Sequence, residues 1–386
     1  IIVQMEENMD FSITPKQQEL IDLAKTIAEK EIAPRALRID KSGVMDEELL
    51  EILKSSGMTQ LSVPKEYGGA GLDLLTVALI AEELAKGCAG VATLCAANSL
   101  ASYPILFAGN EEQKKEFFDC LNEGGMACFA LTEPGAGSDA GAVSCRAEKV
   151  DGGYILNGSK CFITNAPIAD KITLFANTRE GGGIRGLTVF MVDAKTPGIS
   201  IGKEEDKMGI RASATAEIIF EDCFIPESSR IGKEGRGFLI AMQTLQISRP
   251  VVASISLGIA RAAVEAAVKY SHQRKQFGAK IASFQMVQQM VADMVMKTEA
   301  ASALTYKACV MQMNKDKKSA MFSAMSKCYA SDTAMEVATT AVQVMGGNGY
   351  SRDNPVEKYM RDAKIMQIYE GTNQIQRLVI ANEAIF

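Results

Sequence analysis

Histidine is nearly missing from this sequence of 386 residues: His272 is the single example, and tryptophan is absent altogether. One imidazole is too few for a zinc site built from several histidines, such as a His-Glu-x-x-His site. It also leaves a Ser–His–Asp triad no imidazole other than that of His272. We therefore expect no metal site. The sequence also argues against zinc hydrolases with several histidine ligands and against hydrolases with a Ser–His–Asp triad.

Paired cysteines and an excess of basic charge are missing as well. The nine cysteines are scattered without a Cys-x-x-Cys pair and their total is odd, which favours reduced thiols in a cytosol-like compartment. Acidic residues outnumber basic ones by 47 to 41, giving a net charge of −6. Because phosphate backbones need a basic surface, we expect no nucleic-acid partner.

Signals for a membrane or an export route are also weak. The best candidate for a membrane span, residues 250–268, carries Arg261 and Glu265, so we expect a buried helix and no span. The first residues show neither a secretory signal nor an Arg-rich transit pattern. The expected location is the cytoplasm of a bacterium, or the mitochondrial matrix if the chain is a processed eukaryotic protein.

Hydrophobic periodicity divides the chain into three regions. Residues 9–125 show apolar positions at helical spacing and predict an N-terminal helical domain. Residues 126–236 change to a period of two and predict a central β-domain with antiparallel or barrel-like sheets. Residues 237–386 return to the helical pattern and predict a C-terminal bundle of long helices. The predicted fold class is therefore α+β and mainly α.

Short signals refine the central region. The strands we expect lie at residues 154–156, 171–175, 187–192 and 217–220. Asn157-Gly158 is a typical hairpin dipeptide and predicts a turn between two strands.

Residues 129–139 read Phe-Ala-Leu-Thr-Glu-Pro-Gly-Ala-Gly-Ser-Asp and lie where helices give way to strands. Small residues there let the backbone approach a ligand closely. Residues 135–140 also match the G-x-G-x-x-A fingerprint of a nicotinamide-dependent dehydrogenase. That fingerprint needs a preceding strand and a following helix, whereas Pro134 comes before it and residues 142–147 resemble a strand. This alternative is therefore disfavoured.

Three further stretches suit a flat or phosphorylated ligand, although each has an ordinary structural explanation. Phe162 and Thr164 share one face of a strand, where a ring can stack and a hydroxyl can donate, but any half-buried strand alternates in this way. Arg274 can bind phosphate through its forked donors, or can simply end a solvated helix. Residues 343–350 end a helix in glycines that can lie against a nucleotide, or that form a plain C-cap.

A fifth stretch, residues 361–377, places Glu370 between an apolar-rich segment and Gly371-Thr372. A carboxylate in such a setting is partly desolvated, which makes it a stronger base for a weakly acidic C–H. A solvent-facing loop glutamate explains the same residues, and this motif alone does not choose between the two.

Together and in this order, the five stretches resemble the acyl-CoA dehydrogenase family, from about residue 11 to residue 385. The most specific are residues 131–139 and residues 367–377, the latter reading Gln-Ile-Tyr-Glu-Gly-Thr-Asn-Gln-Ile-Gln-Arg. The resemblance implies a helical domain, a β-domain and a C-terminal four-helix bundle. It also implies FAD bound between the β-domain and the bundle, with a neighbouring subunit completing the site in a homotetramer.

The resemblance carries over a set of cofactor-binding positions. Those on the isoalloxazine side would be Phe129, Leu131, Thr132, Ser138, Phe162, Ile163 and Thr164. Those at the adenosine and pyrophosphate end would be Arg274, Gln276, Phe277, Phe284, Gln285, Gln343, Gly346 and Gly347, with Thr372 and Gln374 also touching FAD. Ser138, Gln246, Arg249 and Gly371 would contact the acyl-CoA substrate.

In the mechanism that the resemblance implies, Glu370 removes the α-proton while a β-hydride passes to flavin N5, giving a trans-2-enoyl-CoA. The Glu370 backbone N–H and a flavin ribityl hydroxyl would polarise the thioester carbonyl. Some members carry the base where this chain has Ser248, which cannot serve. Val91 stands where members that accept dicarboxylic substrates often carry arginine, which disfavours a glutaryl-type substrate.

Two departures leave the acyl group and the CoA contacts open: Gln246 stands where aspartate is common, and Asn382 where some members have arginine. Arg249 is the expected CoA-side cation, and we expect a short to medium acyl chain, branched and cyclic chains included. Electrons would leave through an electron-transferring flavoprotein. Two alternatives keep the same fold: an enoyl-CoA reductase using the same residues, and a catalytically silent CoA-binding component.

Overall fold

The computed structural model describes residues 12–179 and 181–385. The helices are α1 (Pro15–Ile27), α2 (Ala33–Ser42), α3 (Glu47–Ser55), α4 (Leu74–Gly87), α5 (Ala89–Ala108), α6 (Glu111–Asn122), α7 (Gly237–Gln273), α8 (Gln285–Met313), α9 (Ser319–Met345), α10 (Pro355–Met366) and α11 (Asn373–Ile385), with a π-helical turn at Ala28–Ile32. The strands are β1 (Ala127–Ala130), β2 (Arg146–Val150), β3 (Gly153–Thr164), β4 (Lys171–Asn177), β5 (Leu187–Asp193), β6 (Ile199–Glu204), β7 (Thr215–Pro226), β8 (Arg230–Ile231), β9 (Lys275–Gln276) and β10 (Ala279–Lys280). The predicted order of helices, strands and helices is confirmed.

Several helices begin at capping side chains that the sequence provides. Thr14 accepts a hydrogen bond from the Gln17 backbone N–H, and the Gln17 side chain accepts one from the Thr14 N–H. Asn110 and Gln113 form the same reciprocal pair at the start of α6, and Asp73 caps α4. These side chains satisfy backbone N–H groups that have no partner within the helix.

The chain forms two compact units, each built from separate segments. The first unit contains residues 12–37, 73–89 and 249–385 of the described chain, and the second contains residues 38–72, 90–179 and 181–248. The first unit thus groups α1 and α4 with the C-terminal helices. The three-domain boundaries after residues 125 and 236 stay predictions.

The second unit is built on a mixed sheet with the strand order β6-β7-β3-β2-β4-β5-β8, in which β1 also pairs with β4. Most pairings are antiparallel as predicted, whereas β1 runs parallel to β4, and β2 meets β4 in parallel at a single residue pair. One core, which includes Tyr154, Phe190 and Phe220, lies within the sheet. A second core packs Phe117 and Phe118 of α6 with β-domain residues such as Phe175.

The predicted hairpin turn at Asn157-Gly158 is wrong, because both residues lie inside β3. The turn between β2 and β3 falls instead at Asp151-Gly152, where Gly152 has a φ of +76°. Gly158 marks a register irregularity against β7, and a Cβ there would lie 2.8 Å from the Cys145 Cα. Glycine at 158 therefore permits a close backbone approach within the sheet.

The first unit is held together by packed helices. Ala253, Leu257, Ala301 and Ala330 form a buried cluster among α7, α8 and α9, where small side chains let the helices approach closely. Glu82 of α4 is buried and accepts hydrogen bonds from Arg261 of α7 and from the Tyr306 hydroxyl of α8. A buried carboxylate thereby joins three helices.

Two helices, Ala89–Ala108 and Gly237–Gln273, are long and apolar enough to cross a membrane by length and composition. The first carries no charged residue and was not recognised from the sequence as a candidate. In each, 72% of the most apolar window is buried inside the protein. Since core helices of soluble proteins pass the same test, this is weak evidence for a span.

Candidate active site

Glu133, in the most specific of the sequence motifs, is a buried structural anchor. Its Oε1 lies 2.6 Å from Lys160 Nζ, and Glu133 also accepts hydrogen bonds from the backbone N–H groups of Ser144 and Cys145. Burial favours the neutral acid, but the Lys160 ammonium and the hydrogen bonds outweigh it and lower the pKa of Glu133. Lys160 also donates to the Leu131 carbonyl at 3.1 Å. The pair therefore fixes the backbone next to Thr132.

The backbone around Thr132 and the glycines is shaped to receive a ligand. The Cys161 N–H donates to the Thr132 carbonyl at 2.9 Å, and Glu133 and Ala136 exchange backbone hydrogen bonds across a tight turn. A Cβ added at Gly135 or Gly137 would meet open space. The predicted cofactor residues of this segment differ in exposure: Phe129 and Thr132 are half-buried, Leu131 is buried, and Ser138 is exposed.

The structure lacks the helix that a nicotinamide fingerprint needs after its glycines, within the described residues. After the glycines the described chain has one short turn at Ala140–Ala142 and then β2, with no α-helix between them. A G-x-G-x-x-A motif needs that helix, because its N-terminus binds the pyrophosphate. The disfavoured nicotinamide alternative therefore lacks its structural basis.

Phe162 lies near the C-terminal end of β3 and has an unusual backbone conformation. It has a φ of +56° and lies at a register shift between Lys160 and Ile163 against β7. The side chain is 64% exposed, whereas Ile163 is buried in the sheet core and Thr164 is half-buried. An aromatic ring that a strained backbone turns to solvent suits stacking on a flat ligand. Ile163 can meet such a ligand through its backbone.

In the first unit, a cavity of about 360 Å³ gathers four of the residues predicted to hold the adenosine and pyrophosphate end. Arg274, Gln276, Gly346 and Gly347 line it, together with Tyr270, Asn348 and neighbouring apolar residues. Asn348 Nδ2 donates to the Tyr270 hydroxyl at 2.7 Å. Neither Gly346 nor Gly347 has an atom within 4 Å of an added Cβ, so the backbone is open to a ligand. Tyr270 and Asn348 were not among the site residues predicted from the sequence.

The remaining predicted residues of that end lie outside the cavity lining. Phe277, 96% exposed with a φ of +50°, sits in the β9–β10 turn and forms an edge contact with Phe284 at 6.1 Å between ring centroids. Gln285 begins α8, and Gln343 lies in the last turn of α9 and accepts the Gly346 N–H through its carbonyl. Both glutamines are exposed.

Glu370 lies in the short connection between α10 and α11, in a left-handed backbone conformation. Its φ is +54°, and that of Gly371 is +90°. The Gln376 side chain donates to the carbonyls of both residues, at 3.1 and 2.9 Å, and Lys327 Nζ donates to the Gly371 carbonyl at 2.9 Å. A non-glycine residue in this region is strained by about 1–2 kcal/mol, and these hydrogen bonds hold it there. The Glu370 side chain is half-buried.

Arg249 is a buried cation beside Glu370. It is 6% exposed, its Nε has no hydrogen-bond partner among the described atoms, and its Nη2 lies 3.8 Å from a Cβ built at Gly371. Burial lowers the pKa of Arg249, and the Glu370 carboxylate opposes that shift. Arg249 is therefore close enough to the Glu370 carboxylate for the two charges to interact, and its role as the CoA-side cation stays a prediction. Gln246, one turn earlier in α7, is half-buried.

A second cavity, of about 340 Å³, includes the predicted residues Thr372 and Gln374. Lys364, Arg377 and Asp332, none of them expected from the sequence, also line it. Burial favours neutral Asp332, but hydrogen bonds from Arg377, Gln367 and Asn373 outweigh it and lower its pKa. Arg377 forms an ion pair with Asp332 at 2.8 Å, so the positive charge of this cavity is partly neutralised by its own lining.

Family models match the chain over nearly its whole described length. The acyl-CoA dehydrogenase N-terminal domain matches residues 14–125, the middle domain residues 128–223 and the C-terminal domain residues 235–385. A short-chain specific acyl-CoA dehydrogenase of Megasphaera elsdenii is 47% identical over 377 residues, covering 96% of this chain and 98% of the relative.

Solved structures of similar proteins also superpose closely on this chain. Butyryl-CoA dehydrogenase from Megasphaera elsdenii superposes with a TM-score of 0.95 at 45% identity, covering 98% of this chain and 100% of that chain. A chain from a structure described as the electron transferring flavoprotein of Acidaminococcus fermentans has a TM-score of 0.95 at 47% identity, with the same coverage. The FAD complex of PigA has a TM-score of 0.92 at 31% identity, covering 97% of this chain and 99% of PigA.

Proposed function

Since the chain belongs to the acyl-CoA dehydrogenase family and is an FAD-dependent enzyme, we propose that it dehydrogenates a short-chain acyl-CoA with Glu370 as the base. The observation that carries the assignment is the half-buried Glu370, locked in a left-handed turn beside the buried cation of Arg249. A carboxylate held in one geometry is ready to remove the proton beside a thioester carbonyl.

The residues present fit FAD. The exposed Phe162 ring, the open backbone at Gly135 and Gly137, and the cavity at Gly346 and Gly347 each provide an open flat or small-residue surface. When bound, FAD supplies the acceptor for the hydrogen that leaves the β-carbon with its electron pair. The side chains of Phe162 and Thr132 would hold the ring system, and Arg274 would hold phosphate.

In the proposed reaction, Glu370 binds the α-proton on its carboxylate, and its backbone N–H donates to the thioester carbonyl. One residue then supplies both the base and a hydrogen-bond donor for the developing negative charge. The conformation of the 370–371 turn therefore controls two parts of the reaction at once. Arg249, nearby and positively charged, favours the ionised carboxylate in the resting state.

A short acyl chain is the substrate class that the comparisons support. The Megasphaera elsdenii relative is described as short-chain specific, and the matching structure as butyryl-CoA dehydrogenase. Val91 is fully buried, where members with dicarboxylic substrates often carry arginine. The electron-transferring flavoprotein remains our proposed electron acceptor, supported by the similarity to the Acidaminococcus fermentans chain. The cytoplasmic location stays a prediction.

The test is the Glu370→Gln variant, followed by anaerobic bleaching of the flavin absorbance with butyryl-CoA. We expect bound FAD but a reduction rate lower by about 10²–10⁴-fold, because a positioned base is lost. Glu383→Gln, an exposed site on α11, is the matched control and should reduce at the normal rate. Near-normal reduction of Glu370→Gln refutes the assignment.

The same residues can also run the reaction as an enoyl-CoA reductase, and the silent CoA-binding alternative keeps the fold without the chemistry. An absorbance scan separates the silent alternative, because a protein that takes up no FAD is colourless. The physiological direction of the reaction depends on two reduction potentials: that of the flavin with ligand bound and that of the electron-transferring flavoprotein. Measuring both decides between dehydrogenase and reductase.

A further inference from the structure

Lys327 is a fully buried lysine in the middle of α9. Its side chain is 0% exposed, and its Nζ donates to the Gly371 carbonyl at 2.9 Å and to Asn373 Oδ1 at 3.0 Å. Both acceptors are neutral, and within the described residues no carboxylate forms a contact ion pair with this ammonium. A buried charge without an ion pair destabilises a fold, so an apolar side chain would be the more stable choice at this position.

The charges around Lys327 show what offsets that cost. Burial lowers the pKa of Lys327 to about 8, and the strongest opposing influence is the carboxylate of Glu370. Cys328 and Asp332 on α9 also favour the charged ammonium, whereas Arg249 on α7 disfavours it. Lys327 is thus linked to the turn that carries Glu370 both by charge and by its hydrogen bond to the Gly371 carbonyl.

The hydrogen bonds show how Lys327 acts on the turn. Lys327 fixes the Gly371 carbonyl, and Gln376 fixes the carbonyls of Glu370 and Gly371. Asn373, the second acceptor of Lys327, donates in turn to Ser331 and Asp332. Side chains of α9 thus hydrogen-bond to the turn directly at the Gly371 carbonyl and, through Asn373, at the residue that begins α11.

We propose that Lys327 is a positioning residue for the Glu370 base: its ammonium pins the 370–371 turn to α9 and supplies positive charge that favours the Glu370 carboxylate. This inference rests on the proposed function of Glu370. Lys327 acts on the reaction indirectly, through its charge and through its hydrogen bond to the Gly371 carbonyl in the turn that carries Glu370.

Two variants separate the hydrogen bond from the charge. Lys327→Met removes both, and Lys327→Gln keeps a donor but removes the charge. We expect Lys327→Met to lower the rate of flavin reduction at saturating butyryl-CoA by about 10²-fold with KM little changed, since small misplacements of a catalytic group have effects of that size. Lys327→Gln should lose less rate.

A pH profile distinguishes positioning from a general structural role. Loss of a nearby positive charge makes the carboxylate harder to ionise, so the acid limb of the kcat/KM profile should move to higher pH in both variants. Ser326→Ala, a buried polar site on the same helix that bonds only within α9, is the matched control and should not move it. FAD content and the unfolding midpoint are measured for every variant.

The outcomes separate this inference from the proposed function. If Glu370→Gln is slow while both Lys327 variants keep a normal rate and an unmoved acid limb, the inference is overturned and the function stands. If Glu370→Gln reduces normally, both fail. Should Lys327→Met not fold, Lys327→Gln decides by the same two measurements, and failure of both variants to fold makes Lys327 a scaffold residue and overturns the inference.

Discussion

At position 371 the backbone and its surroundings both require glycine. Gly371 has a φ of +90°, and a Cβ there would lie 2.7 Å from Gln376 Nε2, the atom that holds the turn. A side chain would displace that donor and release the carbonyl of Glu370. The residue that follows the proposed base is therefore as constrained as the base itself.

We predict that Gly371→Ala lowers the free energy of unfolding by more than the roughly 1–2 kcal/mol that left-handed strain alone costs. The flavin reduction rate should fall as well, because Gln376 no longer fixes Glu370. Gly152→Ala is the matched control, since Gly152 has a φ of +76° but open space around an added Cβ. Urea unfolding of both variants measures the difference, and equal losses would contradict the steric part of the argument.

Single residues were predictable from sequence only where a motif carried them. Glu370 and the glycines at 346 and 347 belong to such motifs, and the structure gives each an unusual backbone or an open surface. Lys327 and Tyr270 were missed because one lysine or one tyrosine inside a long helix carries no signal of its own. Only the fold brings Lys327 of α9 to the Gly371 carbonyl, 44 positions away in the chain.

At the scale of elements, the turn after β1 depends on a buried ion pair. Glu133 and Lys160 are almost completely buried, and the pair holds the Leu131 carbonyl as well as two backbone N–H groups. Removing one partner leaves an uncompensated buried charge, while replacing both with apolar residues removes the charge altogether.

We predict that Lys160→Met lowers the free energy of unfolding by about 3–5 kcal/mol and that the double variant Lys160→Met with Glu133→Leu recovers part of that loss. Denaturant titration of the two variants and the wild-type protein measures this. A double variant no more stable than Lys160→Met alone would show that the uncompensated charge is not the cause of the loss.

The same pair gives a pH dependence. The pKa of Glu133 is lowered from its ordinary value of 4.5, so the unfolded chain takes up a proton first as the pH falls. The stability that Glu133 contributes is therefore present above about pH 4.5 and is lost as the pH falls through the lowered folded-state pKa. Acid unfolding of Glu133→Gln should lack this component, and an identical slope in both proteins would contradict the assignment.

Element types were predictable because apolar periodicity reports which face is buried. The long helices α7, α8 and α9 lie in the region predicted to form a helical bundle, and the four predicted strand segments each lie within an observed strand. The Asn157-Gly158 turn failed because the dipeptide shows only that a glycine conformation is allowed. Whether it closes a hairpin or relieves a close contact inside β3 depends on Cys145, which comes from another part of the sheet.

At the scale of the whole molecule, α8 presents large apolar side chains to solvent. Met286 is 71% exposed, Val295 is 41% exposed and Met296 is 61% exposed. Phe277, in the turn before this helix, is 96% exposed. Apolar surface of this kind is usually covered by a partner, which supports the proposal of a homotetramer.

We predict that the protein sediments as an oligomer and that Met296→Glu weakens the association, because the new charge would have to be desolvated. Analytical ultracentrifugation across a concentration series measures this. Lys280→Glu, a charge change at an already exposed polar position, serves as the control. A fully active, monodisperse monomer of the unmodified chain would contradict the proposal.

The interleaved segments of the two compact units have a consequence for synthesis on the ribosome. The second unit has all its residues once position 248 has emerged, whereas α1 and α4 must wait for helices that begin after it. Until then α1 and α4 can pack on each other, but α4 lacks α8, against which Leu75 and Ala78 are buried in the folded protein. Nascent chains that stall before residue 249 should therefore be held by chaperones through α1 and α4, and loss of the C-terminal helices should expose these two helices to proteases.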